Sequence, residues 1–296
     1  MVQGDRLGGI SGDSRLRGLA ASVVTFLITG GCGSALAPAP AQRLFYLPLV
    51  VNGVDLGSAF IDTGGEFEVL LEDPLDLEYR AEVDILAFAG REKVSVTEPF
   101  IYSVGDLTLY SEGAIVGIAA CKCNGIGLGF LHKVDRVLAL NFHTREATLL
   151  PDAPTSALQI PVSTPDGRLG LFQGVFIDVQ VGSGDSARLV HGLLDTGATH
   201  TVMRRGIAGG GTLLQPDLEQ VTLENIYLGK ARFTVGLFDT EGLPDLIIGT
   251  DLMGAWAKQW YMSFDGASRS LWVEDTLPPR DGSGEGGQAT LAEAGA

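Results

Sequence analysis

The hydrophobic positions of this chain recur at every second residue over short runs, and glycine, asparagine and aspartate separate the runs. A period of two is typical of half-buried β-strands, and the breaks predict tight turns. In the run FYLPLVVNGVDLGSAFIDTGG, Asn52-Gly53 stands between two apolar stretches, which is a strong signal for a β-hairpin. A second run, GVFIDVQVGSGDSARLV, alternates in the same way up to a turn over 182–184. The pattern predicts an all-β protein built from many short strands.

The second half of the chain repeats the first. Residues 126–149 align with residues 248–271 without a gap, at an offset of 248 − 126 = 122. Three apolar residues in each copy are spaced three and then four apart, which predicts a short amphipathic helix. These residues are Leu131, Val134 and Leu138 in one copy and Met253, Trp256 and Trp260 in the other. We therefore expect two homologous lobes, each with a hairpin, a variable middle, an apolar-apolar-Gly strand, a short helix and a closing strand.

Composition narrows the function classes. The 296 residues suffice for one large domain or two small ones, and the 41 glycines fit a turn-rich β protein. A formal net charge of −16 offers no basic surface for phosphate backbones, so we expect no nucleic-acid partner. Three cysteines cannot form a disulfide framework, and Cys121 and Cys123 are expected to be free thiols, since a bridge between them would be strained.

The two ends of the chain lie outside the repeat. Residues 1–41 are expected to form a signal peptide and a tether, because basic residues precede an uncharged apolar stretch over 19–31. Cys32 follows this stretch and is a candidate site of lipid attachment in an exported bacterial protein. The alternative is cleavage at 39–41, which would release a soluble protein. In both cases we expect an exported protein, located in the periplasm, at the membrane surface or outside the cell. At the other end of the chain, residues 276–296 are expected to form a disordered tail.

An Asp-Thr-Gly triplet ends an apolar strand in each half, as AFIDTG and GLLDTG. One triplet alone is an ordinary turn, but two in equivalent places predict a site. If Asp62 and Asp195 face each other about 3 Å apart, they cannot both ionise, so they share one proton. The ionised carboxylate can then take a proton from water while the protonated one polarises a peptide carbonyl.

The residues after each aspartate are expected to support these turns. A threonine hydroxyl can hydrogen-bond across a pseudo-twofold axis and lock the two turns together. Glycine lets main-chain N–H groups come close to the carboxylates. The supporting residues are Thr63, Gly64, Thr196 and Gly197.

On these motifs the chain resembles aspartic proteases of the retropepsin-like or pepsin-like clan, in the single-chain, two-lobed form typical of bacterial aspartyl protease family proteins. The resemblance covers roughly 44–274. LLDTGATHTV and IIGTDLM carry it in the second half and FIDTG in the first, where the sequence Gly65-Glu66-Phe67-Glu68 departs from the Ala or Ser and small polar residues that are usual there.

The resemblance implies two homologous β-barrel-like lobes with short helices, over 42–153 and 154–275. It further implies a catalytic pair at Asp62 and Asp195, a polypeptide substrate, no cofactor and no metal, and a monomer with internal pseudo-twofold symmetry. Substrate flaps in this clan are hairpins between the aspartate and the later glycine. The candidate flap is Asp84–Val96, although a plain edge hairpin is an equal alternative, and the second lobe offers only the glycine run 206–211.

The function implied is that of an aspartic endopeptidase. The alternative from another class is a non-catalytic peptide-binding or scaffold lipoprotein with a degenerate aspartic protease fold. A third reading is an enzyme that matures itself or one dedicated partner. The first two hypotheses differ in whether Asp62 still faces Asp195, given Gly65, Glu66 and Glu68 beside it.

Overall fold

The structure is a computed structural model of the chain. It describes residues 44–65, 67–72, 75–87, 90–116, 123–164, 173–207, 212–215, 218–265 and 268–276. The predicted signal peptide and tether, with Cys32, lie outside the described residues, as do Cys121, Glu66 and most of the glycine run 206–211.

The described part of the chain contains 21 strands and two short α-helices. The first half forms β1 (Tyr46–Val51), β2 (Val54–Asp62), β3 (Val69–Leu71), β4 (Tyr79–Ala87), β5 (Gly90–Thr97), β6 (Phe100–Val104), β7 (Leu107–Ser111), β8 (Ile115–Val116), β9 (Gly125–Gly127), α1 (Leu128–Leu131), β10 (Val137–Asn141) and β11 (Glu146–Leu150). The second half forms β12 (Leu158–Ile160), β13 (Phe176–Val181), β14 (Arg188–Leu194), β15 (Val202–Arg204), β16 (Thr212–Gln215), β17 (Leu218–Asn225), β18 (Gly229–Phe238), β19 (Leu246–Ile248), α2 (Thr250–Trp256), β20 (Ala257–Asp265) and β21 (Ser268–Thr276).

The first-lobe sheet has nine strands in the order β4-β5-β8-β3-β9-β2-β1-β6-β7. Its first hairpin forms where the sequence predicts it, because Asn52 and Gly53 both adopt positive φ, of 48° and 81°, between β1 and β2. Two positive φ values in a two-residue turn match the right-handed twist of the paired strands.

The second-lobe sheet has seven strands in the order β13-β14-β19-β15-β18-β17-β16. An additional antiparallel pairing between β13 and β17, through Gln180↔Glu224 and Val181↔Leu223, closes six of them into a barrel. The hairpin predicted around 182–184 joins β13 to β14. With the first-lobe sheet, this barrel confirms the expected all-β fold of two lobes.

The interval from the aspartate to the later glycine is longer in the first lobe, at 127 − 62 = 65 residues, than in the second, at 249 − 195 = 54. The extra residues supply separate hairpins. In the second lobe, β17 pairs with both β18 and β13. In the first lobe, the β6–β7 hairpin pairs with β1, and β4 and β5 form a second hairpin that joins the other end of the sheet through β8.

A third sheet joins the lobes, in the order β11-β10-β20-β21-β12. The adjacent strands β10 and β20 come from the two copies of the sequence repeat. They pair antiparallel through Leu138↔Met262, Ala139↔Tyr261 and Leu140↔Trp260. Because the repeat offset is 122, residue 139 is equivalent to residue 261, so the pseudo-twofold axis of the lobes passes between these two residues. The internal repeat is thus a structural one.

The helices are shorter than the apolar spacing predicts. α1 spans only Leu128–Leu131 and α2 spans Thr250–Trp256, so Leu138 and Trp260 lie in strands. The apolar side chains bury together all the same, because the chain folds back from each helix into a strand. Trp260 donates its indole N–H to the carbonyl of Met253 in α2, at 3.1 Å.

Two further expectations need correction. Thr276 is the last residue of β21, because it pairs with Ala257, and the remainder of the predicted tail, 277–296, lies outside the described residues. Cys123 is in a disulfide bond, so the expectation of a free thiol is wrong at this position. Its partner lies outside the described residues.

The core is continuous across the lobes. One buried cluster includes Leu49 and Ile126 from the first lobe, Leu138 and Trp260 from the joining sheet, and Val235 from the second lobe. Burial of apolar area at about 25 cal/mol per Å² is the main stabilising contribution. No helix in the part of the chain that the structure describes is long and apolar enough to cross a membrane.

Candidate active site

Both aspartates stand at the end of a strand in the middle of a sheet. β2 ends at Asp62 and runs parallel to β9. Asp195 directly follows β14, which runs parallel to β19. All residues of β9 and β19 are buried, so each aspartate rests on a strand that is covered on both faces.

Each of these buried strands passes through the loop that carries the aspartate. A Cβ atom on Gly127 would lie 2.0 Å from the carbonyl oxygen of Phe67, and one on Gly249 would lie 2.6 Å from the carbonyl carbon of His200. Only glycine fits at these two points, because a larger residue would meet the backbone of the loop. The apolar-apolar-Gly signature of the sequence therefore fixes the path of the aspartate loops.

The two threonines lock the turns together across the lobes, as expected. Thr63 accepts the N–H of Thr196 on its Oγ1, and Thr196 accepts the N–H of Thr63, each at 3.1 Å. Their hydroxyls donate to main-chain carbonyls of the opposite lobe, Thr63 to Leu194 at 2.9 Å and Thr196 to Ile61 at 2.7 Å. All four bonds are buried and symmetric, so the turns are held as one unit.

The two carboxyl groups face each other over the glycines. A Cβ atom on Gly64 would lie 2.4 Å from Cγ of Asp195, and one on Gly197 would lie 2.7 Å from Cγ of Asp62. Each glycine therefore leaves room for the carboxyl group of the opposite lobe. This role goes beyond the one that the sequence suggests, which is only the approach of N–H groups.

Backbone amides orient both carboxylates in the same way. Oδ1 of each aspartate accepts two N–H groups from the residues two and three positions later, whereas Oδ2 accepts no N–H group from the described residues. The donors are Gly64 at 2.9 Å and Gly65 at 2.8 Å to Asp62, and Gly197 at 2.8 Å and Ala198 at 3.1 Å to Asp195. The Oδ2 atoms are thus the ones that a water molecule or a peptide carbonyl can use.

The pair is closed off from solvent, with Asp62 3 % and Asp195 0 % exposed. Burial raises the pKa of Asp62 to about 6, against the lowering effect of hydrogen bonds from Asp195 and from the amides of Gly64 and Gly65. Burial and the nearby charge of Asp62 raise the pKa of Asp195 well above its ordinary value. The two carboxyls therefore ionise one after the other as a coupled pair, and after the first step they share one proton.

The departure of the first lobe from the usual motif does not displace Asp62. Gly65 donates its N–H to Asp62 just as Ala198 does to Asp195. The Glu68 carboxylate turns away from the pair, accepts the Tyr102 hydroxyl and lies 2.6 Å from the Lys133 ammonium group. The sequence gives no signal for this contact, because its three members lie far apart along the chain.

The second lobe supports its loop differently. Asp251, in the first turn of α2, accepts the N–H of Thr201 at 2.9 Å and its hydroxyl at 2.7 Å. Thr201 in turn accepts the N–H of Gly249 at 3.1 Å. His200 lies 3.5 Å from the same carboxylate, with Nδ1 toward Oδ2. An aspartate at the start of a helix is a recognisable signal, since carboxylates favour that position.

The hairpin expected over Asp84–Val96 is present as part of β4 and β5. β5 pairs with β8 only at Ser95 and Val96, so the remainder of the hairpin extends beyond the sheet as a two-stranded ribbon. Its Ile85 side chain is buried in a cluster with Phe60, two residues before Asp62. This geometry suits a flap, and that role stays a prediction. Among the described residues, no group of three His, Cys, Asp or Glu side chains could hold a metal ion.

Comparisons with known proteins give a structural neighbour and no sequence relative. No protein-family model matches the sequence, and no curated protein matches it. Among solved structures, the chain is similar to an aspartic proteinase from Irpex lacteus, at 15 % sequence identity and a TM-score of 0.49. The match covers 79 % of this chain and 95 % of the other. What this site can do is therefore inferred from its own atoms.

Proposed function

We propose that the protein is an aspartic endopeptidase, in which Asp62 and Asp195 hydrolyse a peptide bond with a water molecule between them. The observation that carries the proposal is the symmetric pair of buried carboxyls, each with Oδ1 held by two amides and with an Oδ2 that accepts no N–H group from the described residues. A structural turn has no need of two facing acids, because burying a second carboxyl beside the first is unfavourable.

One shared proton leaves one aspartate as the base and the other as the acid, and we propose Asp62 as the base. Asp62 in its ionised form takes a proton from water, and the resulting hydroxide attacks the carbonyl carbon of the peptide. Asp195 donates its proton to the carbonyl oxygen, which yields a neutral tetrahedral diol. When the C–N bond breaks, Asp62 returns its proton to the leaving nitrogen and Asp195 recovers one from the diol. The pair ends in its starting state, with one new carboxylic acid and one new amine.

A substrate must gain entry before this chemistry begins. Because both carboxyls are closed off from solvent, the residues around them must move apart to admit a peptide. An extended chain between the lobes would then place its scissile carbonyl at the two Oδ2 atoms. The β4–β5 hairpin, which extends beyond its sheet, is the candidate for the part that moves.

The test is cleavage of an unstructured protein by the full-length chain from pH 3 to pH 8, with and without a statine-type inhibitor. We expect inhibitable cleavage whose rate rises as Asp62 ionises, near pH 6. Asp62→Asn and Asp195→Asn should each lower kcat by about 1,000-fold or more, since the base or the acid is lost. Asp178→Asn is the matched control, because this residue lies on the surface of β13 and should leave the rate unchanged.

Two other outcomes would redirect the proposal. Folded protein that cleaves nothing at any pH would favour the non-catalytic peptide-binding or scaffold reading. Cleavage restricted to the chain itself or to one native protein would favour the reading of a dedicated maturation enzyme.

We further propose that the protein is exported and held at a membrane through lipid on Cys32, with the soluble secreted form as the alternative. The support is the charge and apolar pattern of residues 1–41. Expression of the full chain and of Cys32→Ser in a bacterium, followed by membrane fractionation, tests this. A chain that stays in the membrane fraction after the substitution would contradict lipid attachment at this residue.

A further inference from the structure

We infer that Glu68 is a positioning residue, which holds the Asp62 loop in place through Tyr102 and Lys133; this rests on the proposed function. Glu68 belongs to the stretch in which the first lobe departs from the usual motif. The structure gives that departure a use, because the glutamate supplies an anchor that the second lobe builds from other residues.

The anchor consists of three side chains from three elements. Glu68 precedes β3 and is only 11 % exposed at its side chain. The buried Tyr102 hydroxyl in β6 donates to Oε1, and the Lys133 ammonium group, just after α1, donates to Oε2 at 2.6 Å. Lys133 also donates to the carbonyl oxygen of Tyr110 in β7, at 2.6 Å. A carboxylate with both oxygens occupied in this way is fixed to β6, β7 and the end of α1.

The Tyr102 hydroxyl stays a donor at ordinary pH. Burial and the charge of Glu68 raise its pKa above the usual range. Among the described residues, the carboxylate of Glu68 is thus met by one cation, Lys133, and by one neutral phenol, Tyr102. Because hydrogen bonds to charged groups are stronger than neutral ones, this contact is suited to holding a loop.

The second lobe shows what the anchor replaces. The two aspartates are 195 − 62 = 133 residues apart, so Glu68 is equivalent to Thr201. At the helix offset of 122, Gly129 is equivalent to Asp251, the residue that holds Thr201. A side chain at Gly129 would meet the backbone of Glu68 at 2.9 Å. We call the contact of Asp251 with Thr201 the aspartate latch. The first lobe lacks this latch, and Glu68 itself anchors its loop.

The anchor connects to Asp62 through the loop backbone. The carbonyl of Glu68 accepts the N–H of Gly127 at 3.3 Å, and the carbonyl of Gly65 accepts the N–H of Leu128 at 2.8 Å. Gly65 in turn donates its N–H to Asp62 at 2.8 Å. Loosening Glu68 therefore frees the short segment whose amide orients the base of the proposed reaction.

The test compares variants of the full-length chain by two readouts, kcat and KM for the protein substrate and hydrogen exchange of residues 63–68. Glu68→Ala should lower kcat by about 10- to 100-fold with KM changed less than about threefold, because a shift near 1 Å in a reacting group has effects of this size. Glu68→Gln keeps an acceptor for the Tyr102 hydroxyl, so its kcat should fall less than that of Glu68→Ala. The kcat values of Tyr102→Phe and Lys133→Met should each lie between those of Glu68→Gln and Glu68→Ala.

The matched control is Glu274→Ala. This glutamate also accepts a tyrosine hydroxyl, from Tyr261 at 2.6 Å, but it lies in the joining sheet. It should leave kcat and the exchange of residues 63–68 unchanged. A purely structural role for Glu68 would lower the melting temperature without raising exchange in that segment or changing kcat of the folded fraction.

The outcomes separate this inference from the proposed function. If the wild type cleaves by way of Asp62, unchanged kcat and unchanged exchange in folded Glu68→Ala overturn the inference. If the wild type does not cleave, the proposed function fails and exchange alone decides. Faster exchange of residues 63–68 in Glu68→Ala, and not in Glu274→Ala, then still supports an anchor, whereas equal exchange overturns it.

Discussion

At the scale of single residues, the site depends on where side chains are missing. Gly64 and Gly197 leave space for the carboxyl group of the opposite lobe, and Gly65 leaves space beside the carboxyl group of its own lobe. The second lobe carries Ala198 where the first carries Gly65, although both residues donate an N–H to their aspartate. The lobes therefore differ in how closely the backbone approaches the carboxylate.

Gly65→Ala should impair the site although alanine stands in the equivalent position of the second lobe. A Cβ atom here would lie 2.7 Å from Oδ2 of Asp62 and 3.0 Å from its Cγ, so the carboxyl group must shift. We expect kcat to fall by about 10- to 100-fold. Gly206→Ala is the control, because its Cβ would meet nothing within 4 Å. Equal kcat in the two variants would show that the Asp62 loop adjusts without loss.

The buried pair should make the protein less stable as pH rises from about 4 to 7. The folded pKa of Asp62 is about 6 against an ordinary 3.8, so between these values the folded state keeps a proton that the unfolded state releases. Its stabilising effect is complete below the unfolded pKa and is lost as pH rises through the folded one. Two pKa units correspond to roughly 3 kcal/mol. Asp195, with its pKa also raised, acts in the same direction.

Urea unfolding of the double variant Asp62→Asn, Asp195→Asn at pH 4 and pH 7 measures this effect. The free energy of unfolding of the variant, taken relative to that of the wild type, should be higher at pH 7 than at pH 4 by on the order of 3 kcal/mol. Asp265→Asn, at the exposed end of β20, should show no such difference. A double variant whose relative stability is the same at both pH values would mean that the pair is not buried in solution.

At the scale of elements, the turns and the threaded strands could be predicted, whereas the helix length and the Glu68 contact could not. Asn52-Gly53 predicts its hairpin because two residues determine the turn. The apolar-apolar-Gly strands are readable because only glycine fits inside the aspartate loops. The predicted helix length was wrong. Leu138 and Trp260 fit a helical spacing, but they are buried because they lie in strands that fold back from the helices. The Glu68 anchor could not be read at all, since Tyr102 and Lys133 follow it by 34 and 65 residues.

The threading of β19 through its loop predicts a large effect of Gly249→Ala. The added Cβ would lie 2.6 Å from the carbonyl carbon of His200 and 2.9 Å from the carbonyl oxygen of Ala198, both of which are backbone atoms. We expect a loss of about 3 kcal/mol or more in the free energy of unfolding. Urea unfolding followed by circular dichroism measures it, with Gly206→Ala as the reference. A loss below about 1 kcal/mol would mean that the loop has room to widen.

At the scale of the whole molecule, the two lobes should unfold together. They share a buried cluster and the sheet formed by β10 and β20, and four hydrogen bonds of Thr63 and Thr196 cross between them. All three tryptophans lie in the second half of the sequence, Trp256 in α2 and Trp260 and Trp272 in the joining sheet, so their fluorescence reports on the second lobe and on the sheet that joins it to the first. Damage to the first lobe should therefore be visible in the fluorescence of the second.

Leu49→Ala tests this coupling, because Leu49 lies in β1 and is fully buried. The substitution should lower stability by about 2 to 5 kcal/mol and shift the urea midpoint of tryptophan fluorescence as far as that of far-ultraviolet circular dichroism. Ile226→Ala is the control, since Ile226 is 88 % exposed and should move neither midpoint. A fluorescence midpoint unchanged by Leu49→Ala would mean that the lobes are independent folding units.

The pairing of Ala139 with Tyr261 on the pseudo-twofold axis has a consequence for how such a molecule can change over time. In a dimer of identical chains, a residue on the axis meets its own copy, so a small residue must face a small one and a large residue a large one. Here the two positions belong to one chain and are inherited separately. An alanine can then make room for a tyrosine, and the same freedom lets one lobe keep an aspartate latch while the other adopts a glutamate anchor.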